Sequence, residues 1–319
     1  FNMSGDAVIS TNSGAYSGGG VYVNTATFNM SDSASVSGNS ADYGGGVYVY
    51  GETEATAATF TMSGKASISG NSAKYGGGVY VKGYGRFTMT GGSITGNNVT
   101  GNNVSTAGGV YVFGYDATMT VSGNVQIKDN WKGGTKNGGV YEKGDTGSAN
   151  NFYLFGEDGT KQQTITIGGV LETTARIGVT TCLTPTAGNP IKIATGAQEN
   201  VDYTTIFTPD VTDYTVTKDG TTLYLSAHQH SWNYTLSEDK ATITAKCSAN
   251  GCNLTDKSGG SVTINAPAAA KLDYDKTPKK ATLTENSWQG LAVNQDTITY
   301  KNKATDTPLE AAPTDAGTY

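Results

Sequence analysis

One phrase recurs down the N-terminal half of the chain, and its period constrains the fold more than any other feature. One copy reads Phe28-Asn29-Met30-Ser31, then Ala34-Ser35-Val36-Ser37-Gly38-Asn39, then Tyr43-Gly44-Gly45-Gly46-Val47-Tyr48-Val49. The next reads Phe60-Thr61-Met62-Ser63, Ala66-Ser67-Ile68-Ser69-Gly70-Asn71, Tyr75-Gly76-Gly77-Gly78-Val79-Tyr80-Val81. The valine after the glycines falls at Val21, Val47, Val79, Val110 and Val140, spacings of 26, 32, 31 and 30 residues. A unit of that size cannot bury its own apolar face, so units must stack into a solenoid.

Each unit holds three short runs in which apolar and polar residues alternate, the period of a strand. Between the runs sit Gly, Asn, Ser and Asp, which tolerate turn geometry. The pattern predicts an all-β chain: a right-handed parallel β-helix with three strands per coil and repeats of 26–33 residues, followed by small β-sandwich-type modules. Three apolar columns should line the interior: Phe28, Phe60, Phe87 and Met119, with Phe1 before them; Ile9, Val36, Ile68, Ile94 and Ile127; and the five valines. A fourth column, Asn12, Asn39, Asn71, Asn97 and Asn130, falls where the chain must bend, and stacked amides can bond from rung to rung. Insertions at Gly51 to Ala58 and Val99 to Asn103 leave this parity intact, as expected of surface loops.

Among the 319 residues only 15% are charged, and the net charge is -6 with no Lys/Arg run. This argues against nucleic acid as a partner. No apolar stretch approaches the roughly 18 residues of a transmembrane helix, so no membrane insertion is expected. The chain opens mid-repeat at Phe1 and reads as a fragment of something longer. Its Ser/Thr/Asn/Gly/Tyr-rich surface points to an extracellular setting.

The repeats occupy 1–149. Residues 150–226 read as irregular terminal coils and a cap, since an open last rung exposes core and strand edges. A small all-β module follows at 227–267, opening on His228-Gln229-His230-Ser231-Trp232. Residues 268–319 read as an immunoglobulin-like domain, cut off at the C-terminus, with short alternating strands between turn clusters.

The repeats resemble the β-helical passenger repeats of bacterial surface proteins, among them the polymorphic outer-membrane proteins. The succession of β-helix, His-x-Trp…Cys…Cys segment and a module ending Ala312-Pro313-Thr314-Asp315-Ala316-Gly317-Thr318-Tyr319 is similar to large surface proteins of gut Firmicutes. The resemblance implies a cell-surface or wall-attached adhesin and defines no site residue.

Three sets of residues carry candidate chemistry. Tyr22, Tyr48, Tyr80, Tyr111 and Tyr141 alternate with the valines and should stand outside as an aromatic stripe, either stacking to stabilise the rungs or offering a platform to a glycan or peptide. Tyr16, Tyr43 and Tyr75 form a shorter column beside it. Cys247 and Cys252 flank a four-residue turn, which suits a disulfide; with His228 and His230 they could instead make a tetrahedral zinc site. Cys182 reads as a small buried apolar residue. Catalysis on polysaccharides needs clustered carboxylates, but Asp6, Asp32, Asp42, Asp116 and Asp129 share no column. The expected function is therefore a surface-displayed adhesin or stalk without a catalytic site or cofactor, its partner a host glycan or surface protein. The alternative is a carbohydrate-active β-helix of the polysaccharide lyase or glycoside hydrolase type.

Overall fold

In the computed structural model the chain forms two compact units, Phe1–His228 and Gln229–Tyr319. The residues described are 1–100, 105–114, 116–155, 163–239, 241–249, 252, 258–265, 281–286, 300–301 and 308–309. The second predicted insertion, Val99 to Asn103, lies partly outside them, as does most of the predicted immunoglobulin-like segment. The fold is nearly all β. Among the described residues one 3-10 turn, Glu54–Thr56, interrupts it, inside the first predicted insertion and capped by the Thr53 side chain.

The first unit is a large, mainly parallel sheet curled like a half-barrel. Successive repeats pair in register, like on like. Phe28 faces Phe60, Phe60 faces Phe87 and Phe87 faces Met119. The Phe28 and Phe60 rings stack at 4.9 Å, those of Phe60 and Phe87 at 4.6 Å. Ile9, Val36, Ile68, Ile94 and Ile127 form the second column. Val21, Val47, Val79 and Val110 form the third. These columns make one continuous core, in which Val36, Val47, Phe60, Ile68 and Val79 are fully buried. Stacking identical shapes places each side chain against its own copy and keeps interior contact dense along the axis.

The glycine triplets let the chain turn inside this stack. Gly44 and Gly76 have φ of 62° and 63°, the left-handed region. The glycine after each is held by crowding instead. A Cβ on Gly77 would stand 2.3 Å from the Asn98 carbonyl oxygen and 2.5 Å from that of Gly108.

The asparagine column is a hydrogen-bonded ladder. Asn12, Asn39, Asn71 and Asn97 each donate from Nδ2 to the Oδ1 of the next member, at 2.9–3.0 Å, ending on Asn130. Each Oδ1 also accepts the backbone N–H of the preceding member. The second Nδ2 hydrogen reaches a carbonyl in the strand before, Asn71 to Val36 and Asn97 to Ile68, both at 3.0 Å. Every polar group of a buried amide is thereby satisfied. The ladder runs one step further than the sequence suggested, to Asn151 at 3.1 Å.

The fifth valine is a correction. Val140 does not continue its column. It lies in a hairpin of Thr135–Asn137 with Val140–Glu142 and is 37% exposed. The partner of Val110 is Phe152, in a strand Phe152–Leu154. The Gly138-Gly139-Val140-Tyr141 sequence copies the motif but serves a β-turn, with both glycines at positive φ.

Beyond this hairpin the parallel stacking continues. Ile165–Leu171 pairs with Thr118–Ile127, and Arg176–Thr181 pairs with both Phe152–Leu154 and Thr118–Ile127. Ile191–Thr195 and Phe207–Pro209 add a further layer. The antiparallel hairpin Tyr214–Asp219 with Thr222–Ala227 then pairs across Ile191–Thr195. Its reversed direction occupies an edge that another parallel strand would otherwise extend.

In the second unit, Trp232–Leu236, Thr242–Cys247, Ser258–Asn265 and Thr282–Asn286 form a four-stranded antiparallel sheet. This sheet crosses position 267, where the sequence suggested a module boundary.

Candidate functional site

The tyrosines lie on the sheet face opposite the valines, as alternation requires. Tyr22, Tyr48, Tyr80 and Tyr111 occupy one register position. Consecutive rings stack at 5.1, 5.1 and 5.2 Å. The fifth member is Tyr153, paired with Tyr111 and meeting it edge-on at 83°. Tyr141 does not belong to the stripe: it lies on the Thr135–Glu142 hairpin, paired with Lys136 and bonded through its amide to the Gly96 carbonyl.

The expectation of an exposed stripe also needs correcting. Tyr22 is 47% exposed, but Tyr48, Tyr80, Tyr111 and Tyr153 are 7% exposed or less. They form a second core, covered by Tyr43, Tyr50, Tyr75, Phe113, Phe155 and Cys182. Tyr43 and Tyr75 stack at 5.2 Å, as their shared column suggested. Tyr16 does not join them, because the register partner of Tyr43 is Ser17. Burial, reinforced by neighbouring tyrosines, pushes the hydroxyls of Tyr48, Tyr80 and Tyr111 well above the ordinary tyrosine range. Tyr153 is pushed up by burial and then by its bond to Cys182.

Over this second core opens a cleft of about 530 Å³. Its aromatic lining comprises Tyr80 and Tyr111, Tyr43 and Tyr75 from before the glycine corner, and Phe113 and Phe155 from two residues beyond the stripe. Lys82 and Ser105 are the remaining described lining residues. The Lys82 ammonium lies 5.8 Å from the centre of the Phe113 ring, and Ser105 accepts a hydrogen bond from the Tyr153 hydroxyl at 3.2 Å. None of these lining residues is a carboxylate. Such a surface can stack on the apolar face of a sugar ring or hold an extended peptide, with polar contacts at its edge. The sequence signal for it was the parity of Tyr48, Tyr80 and Tyr111; the covering rings Phe113 and Phe155 had no repeated motif to mark them.

A second, smaller groove holds Asp42, which pairs with Lys74 at 2.9 Å.

In the second unit the structure brings His230, Cys247 and Cys252 together, their donor atoms within 4.8 Å of one another. Cys252 Sγ lies 3.9 Å from His230 Nδ1. The strand register explains the meeting: Trp232 pairs with Cys247, and Ser248 donates to the Ser231 carbonyl, so the chain before Trp232 runs alongside the chain after Cys247. The expected Cys247–Cys252 disulfide is not formed. Cys252 is instead turned toward the imidazole. His228 closes the first unit, where its amide donates to the Asp213 carbonyl.

Comparison with family models, with curated proteins and with solved structures gave no match.

Proposed function

We propose that this is a non-enzymatic, surface-displayed protein, an adhesin or structural stalk, whose aromatic cleft takes a host glycan or an extended segment of a surface protein. The first unit is read as a right-handed parallel β-helix and the second as small β-sandwich modules, including an immunoglobulin-like one. In-register pairing of five successive repeats supports the helical reading. An extracellular, cell-surface or cell-wall setting agrees with the weakly charged, Tyr-, Ser- and Asn-rich sequence and with the resemblance of the repeats to surface-protein passengers.

One observation carries the binding reading. Among its described lining residues the cleft collects six aromatic rings with one ammonium group and no carboxylate. Aromatic anchors of this kind carry a large share of affinity at binding surfaces. The test is a glycan array probed with the full chain, followed by calorimetry with Tyr75→Ala and Phe113→Ala, two partly exposed lining residues. Binding by the parent, lost in folded variants, supports the reading. A parent that binds neither glycans nor host surface proteins overturns it.

The carbohydrate-active alternative needs a carboxylate pair, about 5–10 Å apart in most glycosidases. The described linings of the two grooves offer only Asp42, already paired with Lys74. Turnover of pectin or alginate, followed by absorbance of unsaturated product, would reverse the preference.

A further inference from the structure

We propose that the stretch 228–252 carries a zinc site in which His230, Cys247 and Cys252 are protein ligands and His228 is the fourth. This site is independent of the aromatic cleft. The donor atoms of the first three already lie within 4.8 Å of one another. Around a tetrahedral zinc ion, Zn–S of about 2.3 Å and Zn–N of about 2.0–2.1 Å put neighbouring N and S donors about 3.5 Å apart. The 3.9 Å from His230 Nδ1 to Cys252 Sγ needs only a small contraction to reach that edge. A covalent S–S bond would instead draw Cys252 onto Cys247 and away from the imidazole.

The surroundings hold the donors in place. Cys247 is 3% exposed and sits at the end of a paired strand. The His230 ring stacks on Trp232 at 4.5 Å and 21°. Trp232 in turn lies on Gly259, where a Cβ would stand 2.4 Å from the indole. Thus the bare backbone of Gly259 makes room for the indole, and the indole supports the imidazole that faces Cys252. His228 is two residues before His230, a Cα separation of at most about 7 Å, which keeps its ring within reach of the same point. All four residues come from the unbroken stretch 228–252, so the site is local to it.

The donor set selects the metal. Two thiolates and two imidazoles in a tetrahedral arrangement suit zinc, whereas calcium and magnesium take oxygen ligands. On binding, each thiol releases its proton to solvent, and the imidazoles coordinate through a ring nitrogen in the neutral form. The two thiolate charges cancel the two charges of the ion, so the buried Cys247 position receives no net charge. Four protein ligands leave no open coordination position, which defines a structural site, with the binding free energy added to the stability of the unit.

The test uses the full chain, reduced and stripped of metal by chelator, then titrated with Co²⁺ as a spectroscopic stand-in and with Zn²⁺ as competitor. The expected result is uptake of one equivalent, thiolate-to-cobalt charge-transfer absorption, tetrahedral d–d bands, and displacement by zinc. Cys252→Ser and His230→Ala should weaken binding by about 100-fold or more, since outer-shell partners alone are worth about 10–100-fold; circular dichroism checks that they fold. An unmutated chain without thiolate charge transfer overturns the proposal. So does recovery of Cys247 and Cys252 as an intramolecular disulfide in unreduced, metal-free protein, or a folded Cys252→Ser variant that binds as the parent does. Unchanged affinity in His228→Ala overturns the assignment of the fourth ligand.

Discussion

Asn151 Nδ2 donates to Asp210 Oδ1 at 2.6 Å, and the Asn151 backbone N–H donates to Asp210 Oδ2 at 2.8 Å. The asparagine ladder therefore ends on a carboxylate. From Asn12 to Asn151 every side-chain amide points its Nδ2 the same way, so the dipoles add and their positive end faces Asp210. This is the side-chain counterpart of an anion at a helix N-terminus. Thr180 Oγ1 completes the shell at 2.7 Å. Burial pushes the Asp210 carboxyl upward from its ordinary range, and the hydrogen bonds from Asn151 and Thr180 pull the other way.

Asp210→Ala should destabilise the first unit. It strands two donors of Asn151, which is 5% exposed, at about 1–3 kcal/mol for each unsatisfied group. Asp210→Asn keeps one acceptor and should lose less. Calorimetric melting of the two variants beside the parent checks the order; equal melting temperatures would remove Asp210 from the ladder.

Mid-ladder, Asn97→Ala strands the N–H and Nδ2 of Asn71, both of which donate to Asn97 Oδ1. The expected loss is roughly 2–5 kcal/mol. Asn97→Asp preserves the shape but sets an oxygen against Asn130 Oδ1. Burial and this repulsion raise the new carboxyl in the folded state, so the variant is less destabilised below its unfolded pKa of about 3.9, where the protonated acid can donate to Asn130. Stability falls again as pH rises through the raised folded value. Chemical denaturation at pH 3.5 and pH 7, with the parent measured at both, checks the sign.

The regular coils were legible because the same shape recurs at the same parity: Phe28, Phe60 and Phe87 announce one column, and Asn39, Asn71 and Asn97 another. The reading failed where a local copy of the motif served another purpose. Gly138-Gly139-Val140-Tyr141 matches the repeat better than Asn150-Asn151-Phe152-Tyr153, yet a hairpin turn uses the same glycines. Asp210 carries no local signal, since its role depends on a coil 59 residues from Asn151. Parity assigned Tyr80 to the outer face but could not give its burial, which rings on neighbouring strands decide. The His/Cys spacing left disulfide and metal both open. The register of Trp232 with Cys247 turns Cys252 toward His230.

Glycines of the repeat separate by the space around them. Gly77→Ala forces a methyl to 2.3 Å from the Asn98 carbonyl oxygen, which is backbone and cannot swing aside. The coils must part, and a cost above the usual range of about 0.5–3 kcal/mol for point substitutions is expected. A Cβ on Gly188 would meet nothing within 4 Å, and its φ is not positive. Gly188→Ala should be neutral or stabilising by about 0.4–1 kcal/mol through loss of unfolded-state freedom. Thermal melts of both variants measure the contrast.

The buried tyrosines make an alkaline limit. Tyr48, Tyr80, Tyr111 and Tyr153 are raised in the folded state above the ordinary value of 10.0. Above pH 10 the unfolded chain releases these protons while the folded chain keeps them, so the unfolded state binds fewer protons and stability falls as pH rises. Below pH 10 both states hold the protons, and the contribution is fully present. Ionisation of these four rings, read from tyrosinate absorbance, should therefore coincide with cooperative loss of the β-sheet circular dichroism signal. Tyr80→Phe keeps the ring of the stack but removes one titrating hydroxyl, so its alkaline unfolding midpoint should move to higher pH. A chain in which every tyrosine ionises while the sheet signal stays intact would show that the rings are open to water, returning the stripe to the exposed surface that alternation alone suggested.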